Sequence, residues 1–219
     1  MTGQLILNIR LRDEATFANY VGEAGDRLKA AKNLAYVWGY AESGRSHLLQ
    51  AECHAARQQG QSTIYVENPA DHDALVLDGL ESVPVICIDN IDQIQGHDDW
   101  ERALFHLING VNDAGGRLVL SGDVAARFLQ ISLKDLHSRL LAAATVQTDQ
   151  LSDEQKLQFL QQRARIRGFV LPTEVGRFIL GRSPRGMRSL SEMLERLESE
   201  SLVRQRKVTI PLAKDTLGI

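Results

Sequence analysis

The sequence predicts an α/β protein: a parallel sheet covered by helices, followed by a small helical domain. Short apolar segments alternate with helical patterns as far as residue 150, which is typical of a parallel sheet buried on both faces. A glycine-rich loop joins the first apolar segment to the next helix, and no strand pattern follows residue 150. We therefore expect an extended N-terminal arm at 1–12, a nucleotide-binding domain at 13–150 and a helical domain at 151–219.

Strands and helices are predicted to alternate in the first domain. Residues 13–31 carry helical patterns that are interrupted near Gly22 and Gly25. Continuous apolar segments predict strands at 34–38, 62–66, 84–89, 117–122 and 144–148. Periodic apolar residues predict helices at 45–59, 71–82, 98–115 and 133–140, and Gly60 is placed to end the first of them.

The segment after Gln150 is predicted to contain helices only. A capping start at Ser152 opens the helical pattern "SDEQKLQFLQQRARIRGF". Two more helical patterns follow, "PTEVGRFILGR" and "RGMRSLSEMLERLESESLVR". A separate small helical domain is the simplest interpretation.

Charge is distributed unevenly along the chain, although the net charge is only −3. Residues 1–150 hold 12 basic and 20 acidic side chains, whereas residues 151–219 hold 13 basic and 8 acidic ones. The second domain is therefore mildly basic. An ordinary solvated surface and a surface that meets an acidic partner or DNA both fit this balance.

The sequence also bears on location. No apolar run approaches the roughly 18 residues of a membrane-spanning helix, and the N-terminus does not have the pattern of a secretory signal. Cys53 and Cys87 lie in a predicted helix and a predicted buried strand, so we expect free thiols. A cytoplasmic setting without membrane contact is the expectation.

The segment "GYAESGRSHLL", Gly39 to Leu49, has nearly the pattern of a phosphate-binding loop, G-x-x-x-x-G-K-[ST]. Gly39 and Gly44 would let the backbone approach a phosphate closely, and the following helix would direct its N-terminus at it. Arg45 replaces the usual lysine and keeps the positive charge as a broad planar group. Ser46 stands where a hydroxyl would bind Mg²⁺.

A carboxylate is predicted at the edge of the sheet where the loop lies. The segment "VPVICIDN" is a buried strand that delivers Asp89 to its carboxyl end, where such sheets bind ligands. We expect Asp89 to hold Mg²⁺ directly or through water. Asn90 follows, and a neutral amide positions water without accepting its proton. Arg45 and Asn90 both favour holding a nucleotide over hydrolysing it.

These motifs, in this order, resemble the AAA+ ATPases of the bacterial replication initiator (DnaA) family. "GRSHLLQA" is similar to the initiator's "GKTHLLHA", and the resemblance covers roughly residues 13–219. It is closer to the short DnaA homologues of the Hda type, through the loop arginine, the Asp-Asn pair, "SDEQKL" at 152–157 and "QRKVTIP" at 205–211. The initiator continues into a DNA-reading helix-turn-helix domain. This sequence stops at Ile219, so base reading by the basic domain is not expected.

The resemblance implies roles for three charged residues. Asp123, after "RLVLSG", matches a sensor of the bound phosphates, and Arg188, in "GMRSL", matches a second sensor, with Arg185 as its alternative. Arg139, in "DLHSRL", matches the arginine finger that enters a neighbour's nucleotide site. For Arg139 and Arg188 a surface salt bridge is the alternative interpretation.

The resemblance further implies that Phe17, Tyr20 and Val21 pack against the nucleotide base, although they fit an ordinary core equally well. His47, one turn into the helix after the loop, either approaches the phosphates or serves the helix face.

The N-terminal arm contains "QLILNI". Hda-type proteins carry a similar peptide that docks on the sliding clamp, the β subunit of DNA polymerase III, which implies that Gln4, Leu5, Leu7 and Ile9 bind the clamp. DNA would then be met through the clamp. A strand packed on its own domain is the alternative.

Two functions are carried forward. The resemblance implies a regulator that holds ADP (or ATP) with Mg²⁺, binds the DNA-loaded clamp and stimulates hydrolysis of the ATP bound to DnaA, which prevents re-initiation. Its own ATPase would be weak or absent. The alternative is a self-contained DnaA-like ATPase that acts as a homo-oligomeric switch or loader. Whether the chain forms a homodimer stays open.

Overall fold

The computed structural model describes residues 11–148, 150–182 and 186–219, without the side chain of Arg188. The chain separates into two compact units, the second of which begins at Gln150. Among the described residues, no helix is both long and apolar enough to cross a membrane.

In the first unit, the described residues form four α-helices and five strands. In chain order they are α1 Ala24–Ala30, β1 Leu34–Trp38, α2 Arg45–Gln58, β2 Thr63–Val66, β3 Val85–Ile88, α3 Asp98–Asp113, β4 Arg117–Gly122, α4 Lys134–Ala142 and β5 Ala144–Gln147. The strands form one sheet in the order β2-β3-β4-β1-β5, and every neighbouring pair is parallel. The predicted α/β class with a parallel sheet is confirmed.

Alternate residues of the strands fill two cores, one on each face of the sheet. Tyr36 of β1 and Leu120 of β4 pack with α3 and α4, whereas Val37 and Val119 pack with α1 and α2. Side chains alternate between the faces of a strand, so an apolar strand supplies both cores at once. This burial fixes the carboxyl ends of β1, β3 and β4 side by side.

The second unit is helical, as predicted. It consists of α5 Asp153–Ile166, α6 Thr173–Leu180, α7 Met187–Arg204 and α8 Ile210–Leu217 around its own apolar cluster. The predicted capping box is present: Ser152 Oγ accepts from the Gln155 N–H, and Gln155 Oε1 accepts from the Ser152 N–H. The sequence analysis did not anticipate α8, which begins with a Thr209 cap and a proline in its first turn.

Two local predictions were wrong. The helix expected at 71–82 is replaced by short 3-10 turns at Pro69–Asp71, Ala74–Leu77 and Leu80–Ser82. The left-handed conformation of Gly79 (φ 77°) interrupts any continuous helix there. The interruption expected near Gly22 is present, because α1 begins only at Ala24, but Gly25 lies buried in the first turn of α1, where a side chain would meet Tyr20 at 3.2 Å.

Candidate nucleotide-binding site

The backbone of the loop between β1 and α2 lies close to other residues at two points, Gly39 and Gly44. A side chain at Gly39 would meet the Thr148 hydroxyl and lie 2.8 Å from the Thr148 carbonyl oxygen. Gly44 has φ 92°, and a side chain there would lie 2.9 Å from the ring of Tyr20. Thr148 also shares a hydrogen bond of 2.5 Å with Ser43, which fastens the loop to the end of β5. Both glycines of the motif are thus required by contacts within the fold.

The loop arginine is held at the carboxyl edge of the sheet. Arg45, the first residue of α2, forms an ion pair with Asp123, which follows β4. The Arg45 side chain is only 10% exposed, and its Nη1 contacts the Asp123 carboxylate. The guanidinium has five N–H donors, so the cation keeps donors for a ligand at its other nitrogens. A bound phosphate oxygen is the kind of acceptor that would satisfy them.

A second carboxylate lies beside this ion pair. Oδ1 of Asp92 accepts a hydrogen bond of 3.1 Å from the Asp123 N–H. Burial, followed by the negative charge of Asp123, raises the pKa of Asp92 above its ordinary value. The hydroxyl of Tyr36 donates to the Val124 carbonyl at 2.7 Å. Burial, followed by the negative charge of Asp92, raises the pKa of Tyr36. One cation and two carboxylates therefore meet at this edge.

Asp89, the expected Mg²⁺ ligand, is fully buried and engaged by the protein. Its two carboxylate oxygens accept hydrogen bonds from the hydroxyls of Tyr65 (2.8 Å) and Ser121. Ser46 is half-buried in the first turn of α2. Each oxygen accepts one hydrogen bond and keeps a second lone pair. The expected role of Asp89 toward Mg²⁺, directly or through water, stays a prediction. No group of three or more His, Cys, Asp or Glu side chains suited to a metal occurs among the described residues.

The residues expected near the nucleotide base form one apolar corner beside the loop. Phe17 and Tyr20 pack against the core that contains Leu48 of α2, and Val21 is half-buried next to them. His47 Nε2 lies 2.8 Å from the Thr16 carbonyl oxygen, and its ring lies 5.5 Å from that of Tyr20. This contact joins His47 to the segment that precedes α1, in accord with the helix-face interpretation.

Arg139 stands apart from these groups on the last turn of α4. Leu136 and Leu140 anchor that helix in the core, while the Arg139 side chain is exposed. Within the described part of the chain, no hydrogen bond or ion pair engages its guanidinium. The alternative of a surface salt bridge thus finds no support in the described residues.

Comparisons with known proteins match the helical unit to a family model and the whole fold to solved structures. Residues 153–217 match the family model described as "Hda, lid domain". Domain III of the Thermotoga maritima replication initiation protein DnaA superposes with a TM-score of 0.82 at 20% identity, covering 96% of this chain and 98% of that one. The chain therefore has the fold of DnaA domain III, and its helical unit carries the match to the Hda lid family.

Two further structures share the AAA+ fold. AMPPCP-bound DnaA from Aquifex aeolicus matches with a TM-score of 0.70 at 20% identity, over 85% of this chain and 66% of that one. The RuvB Holliday junction branch migration motor of Thermotoga maritima matches with a TM-score of 0.71 at 15% identity, over 95% and 72%. At these identities the likeness is one of fold.

Some expected site residues of this AAA+ chain lie outside the described part. Gln4, Leu5, Leu7 and Ile9 of the arm precede its first described residue. Arg188 lies near the start of α7, and its side chain is outside the described part, as is Arg185 as a whole. Their roles stay predictions.

The sequence analysis missed four residues around the site: Asp92, Tyr65, Ser121 and Glu101. Asp92 is the third residue after Asp89, so its position just after a predicted strand was a signal for this site. Buried Glu101 accepts from the N–H groups of Gly96, Ser132 and Leu133, which fixes the start of the Arg139 helix.

A cavity of about 380 Å³ lies at the other end of the sheet, next to Pro84 and Arg117. Arg117 is bound there by both carboxylate oxygens of Glu52 and by the Leu28 and Ala31 carbonyls. Its donors are already used, so this cavity does not present a free cation to an anionic ligand.

Proposed function

We propose that this chain is a regulator of the replication initiator DnaA that holds a nucleotide and assists hydrolysis in its partner. The observation that carries the proposal is Arg139, which is exposed on a firmly anchored helix and has no partner among the described residues. An arginine finger must point away from its own site to enter a neighbour's, and stabilisation of charge on the γ-phosphate increases the rate by roughly 10³–10⁵ in other NTPases.

Nucleotide binding by the chain itself is supported by the loop. Gly39 and Gly44 permit a close approach of the loop backbone to a phosphate, and the N-terminus of α2 lies at the loop. The guanidinium of Arg45 keeps donors at the nitrogens that do not contact Asp123. The DnaA of similar fold from Aquifex aeolicus binds AMPPCP. ADP is the nucleotide that we expect here. When bound, Mg²⁺ would neutralise phosphate charge, and Ser46 is the residue of this chain that would face it.

We expect this chain to hydrolyse its own bound nucleotide slowly. The neutral Asn90 cannot take a proton from water, and the carboxylate of Asp89 is fully buried and accepts hydrogen bonds from Tyr65 and Ser121. In this proposal the catalytic contribution of the chain is Arg139, which acts in the nucleotide site of the partner. Gln4, Leu5, Leu7 and Ile9 would bring the chain to the sliding clamp on DNA, where it meets ATP-bound DnaA.

The decisive experiment measures ATP hydrolysis by DnaA on clamp-loaded DNA, with and without this protein. We expect strong stimulation by the wild type and its loss in Arg139→Ala. Arg102→Ala is the matched control, because Arg102 is likewise an exposed arginine on an anchored helix, α3. Gln4→Ala should abolish clamp binding and keep nucleotide binding.

Full stimulation by Arg139→Ala would refute the finger. If DnaA is not stimulated and the pure chain hydrolyses ATP briskly, then the self-contained ATPase is the correct function.

A further inference from the structure

We propose that Asp92, together with Asp123, selects a nucleoside diphosphate over a triphosphate at the loop. The inference rests on the proposed function, because it assumes that a nucleotide binds there. It deepens that function by naming the residue that determines which nucleotide is kept.

The argument begins with the charges around Arg45. Its guanidinium is ion-paired with Asp123, and Oδ1 of Asp92 accepts the Asp123 N–H at 3.1 Å. Three formal charges thus meet at the ends of β1, β3 and β4, and they sum to −1. The excess negative charge also affects Asp92, whose pKa is raised first by burial and then by the charge of Asp123.

In a phosphate-binding loop, the cation at the position of Arg45 contacts the β- and γ-phosphates. In this chain Asp123 already neutralises that cation. The backbone N–H groups of the loop and the N-terminus of α2 remain available for a β-phosphate. A γ-phosphate adds one or two negative charges beside Asp92, which is half-buried, and Asp123, whose side chain is 56% exposed.

The guanidinium of Arg45 nevertheless keeps donors for an anion at the nitrogens that do not contact Asp123. Its side chain is only 10% exposed, and Nη1 touches the Asp123 carboxylate. A β-phosphate held by the loop N–H groups accepts from these donors and brings less negative charge to Asp92 and Asp123 than a triphosphate does. The terminal phosphate of a triphosphate would have to displace Asp123 from Arg45 and stay next to Asp92.

The test compares the dissociation constants of ADP and ATP, measured by calorimetry in EDTA so that no metal contributes. Asp92→Asn removes one negative charge and keeps Oδ1 as the acceptor for the Asp123 N–H. We expect the wild type to prefer ADP by tenfold or more. We expect Asp92→Asn to reduce that preference about tenfold, or about 1.4 kcal/mol, mainly through tighter ATP binding.

Asp113→Asn is the matched control, because Asp113 is an exposed aspartate at the end of α3. Its preference for ADP should equal that of the wild type. Inorganic pyrophosphate and tripolyphosphate should repeat the pattern without a base. Raising the salt concentration should reduce the wild-type preference more than that of Asp92→Asn.

The outcomes separate the two proposals. Binding of ADP with an unchanged ADP-to-ATP ratio in Asp92→Asn would overturn this inference and leave the proposed function intact. A wild-type chain that binds neither nucleotide would overturn nucleotide binding as well.

Discussion

The hydroxyl of Tyr65 donates a hydrogen bond of 2.8 Å to Oδ2 of Asp89, and both side chains are buried. Tyr65 belongs to β2 and Asp89 follows β3, so the bond ties two neighbouring strands at their carboxyl ends. Ser121 donates to the other oxygen, from the far side of β3. The aspartate expected to serve a metal is therefore part of a buried polar network within the sheet.

We expect Tyr65→Phe to destabilise the first unit by about 2 kcal/mol, because it removes a donor from a buried carboxylate and leaves the ring in place. Urea unfolding monitored by circular dichroism measures the change. Tyr40→Phe is the control, since Tyr40 is exposed and should give no change. A stability equal to the wild type would show that water or another donor replaces the tyrosine.

Alkaline pH should destabilise the protein through its two buried tyrosines. Burial raises the pKa of both Tyr36 and Tyr65 above the ordinary value of 10.0, and the next largest causes are the charges of Asp92 and Asp89. The unfolded chain therefore loses these protons first. The stabilisation is complete below about pH 10 and falls above it, by about 1.4 kcal/mol per pH unit for each tyrosine.

The measurement is the free energy of unfolding between pH 8 and 11.5. Tyr65→Phe should reduce the slope above pH 10 by about 1.4 kcal/mol per pH unit, whereas Tyr40→Phe should leave it unchanged. An identical slope in Tyr65→Phe would contradict the assignment of the pH dependence to this residue.

The sequence predicts β1 and β4 to the residue, because continuous apolar segments between turn residues have few other interpretations. It does not predict which strands are neighbours. Asp92, Asp123 and Arg45 meet only because β3, β4 and β1 are adjacent in the sheet. The wrong helix at 71–82 has a related cause, since apolar spacing alone does not show that Gly79 turns to a left-handed conformation.

Glu101 is expected to be the residue that most strongly supports the position of Arg139. Its carboxylate accepts from the N–H groups of Ser132 (3.2 Å) and Leu133 (2.8 Å) at the start of α4, and from Gly96 at 3.1 Å. Glu101→Ala would leave these groups without their acceptor, and we expect a loss of about 3 kcal/mol.

Glu101→Gln retains one acceptor oxygen and should lose less than Glu101→Ala. Asp113→Ala, an exposed acid on the same helix, should change stability by no more than about 0.5 kcal/mol. Stimulation of DnaA by folded Glu101→Gln tests the link to Arg139: it should decrease while nucleotide affinity is kept. If both variants match the wild type in stability, then Glu101 does not hold this region.

Gly39→Ala should destabilise the protein by about 3 kcal/mol and weaken ADP binding, because the new methyl group would lie 2.8 Å from the Thr148 carbonyl oxygen and displace the loop. Unfolding in urea and ADP titration measure the two effects. Gly60→Ala is an instructive control, since Gly60 has φ 77° but open space around it, and it should cost only about 1 kcal/mol with unchanged affinity. Equal losses in the two variants would mean that the approach of Thr148 does not require glycine at position 39.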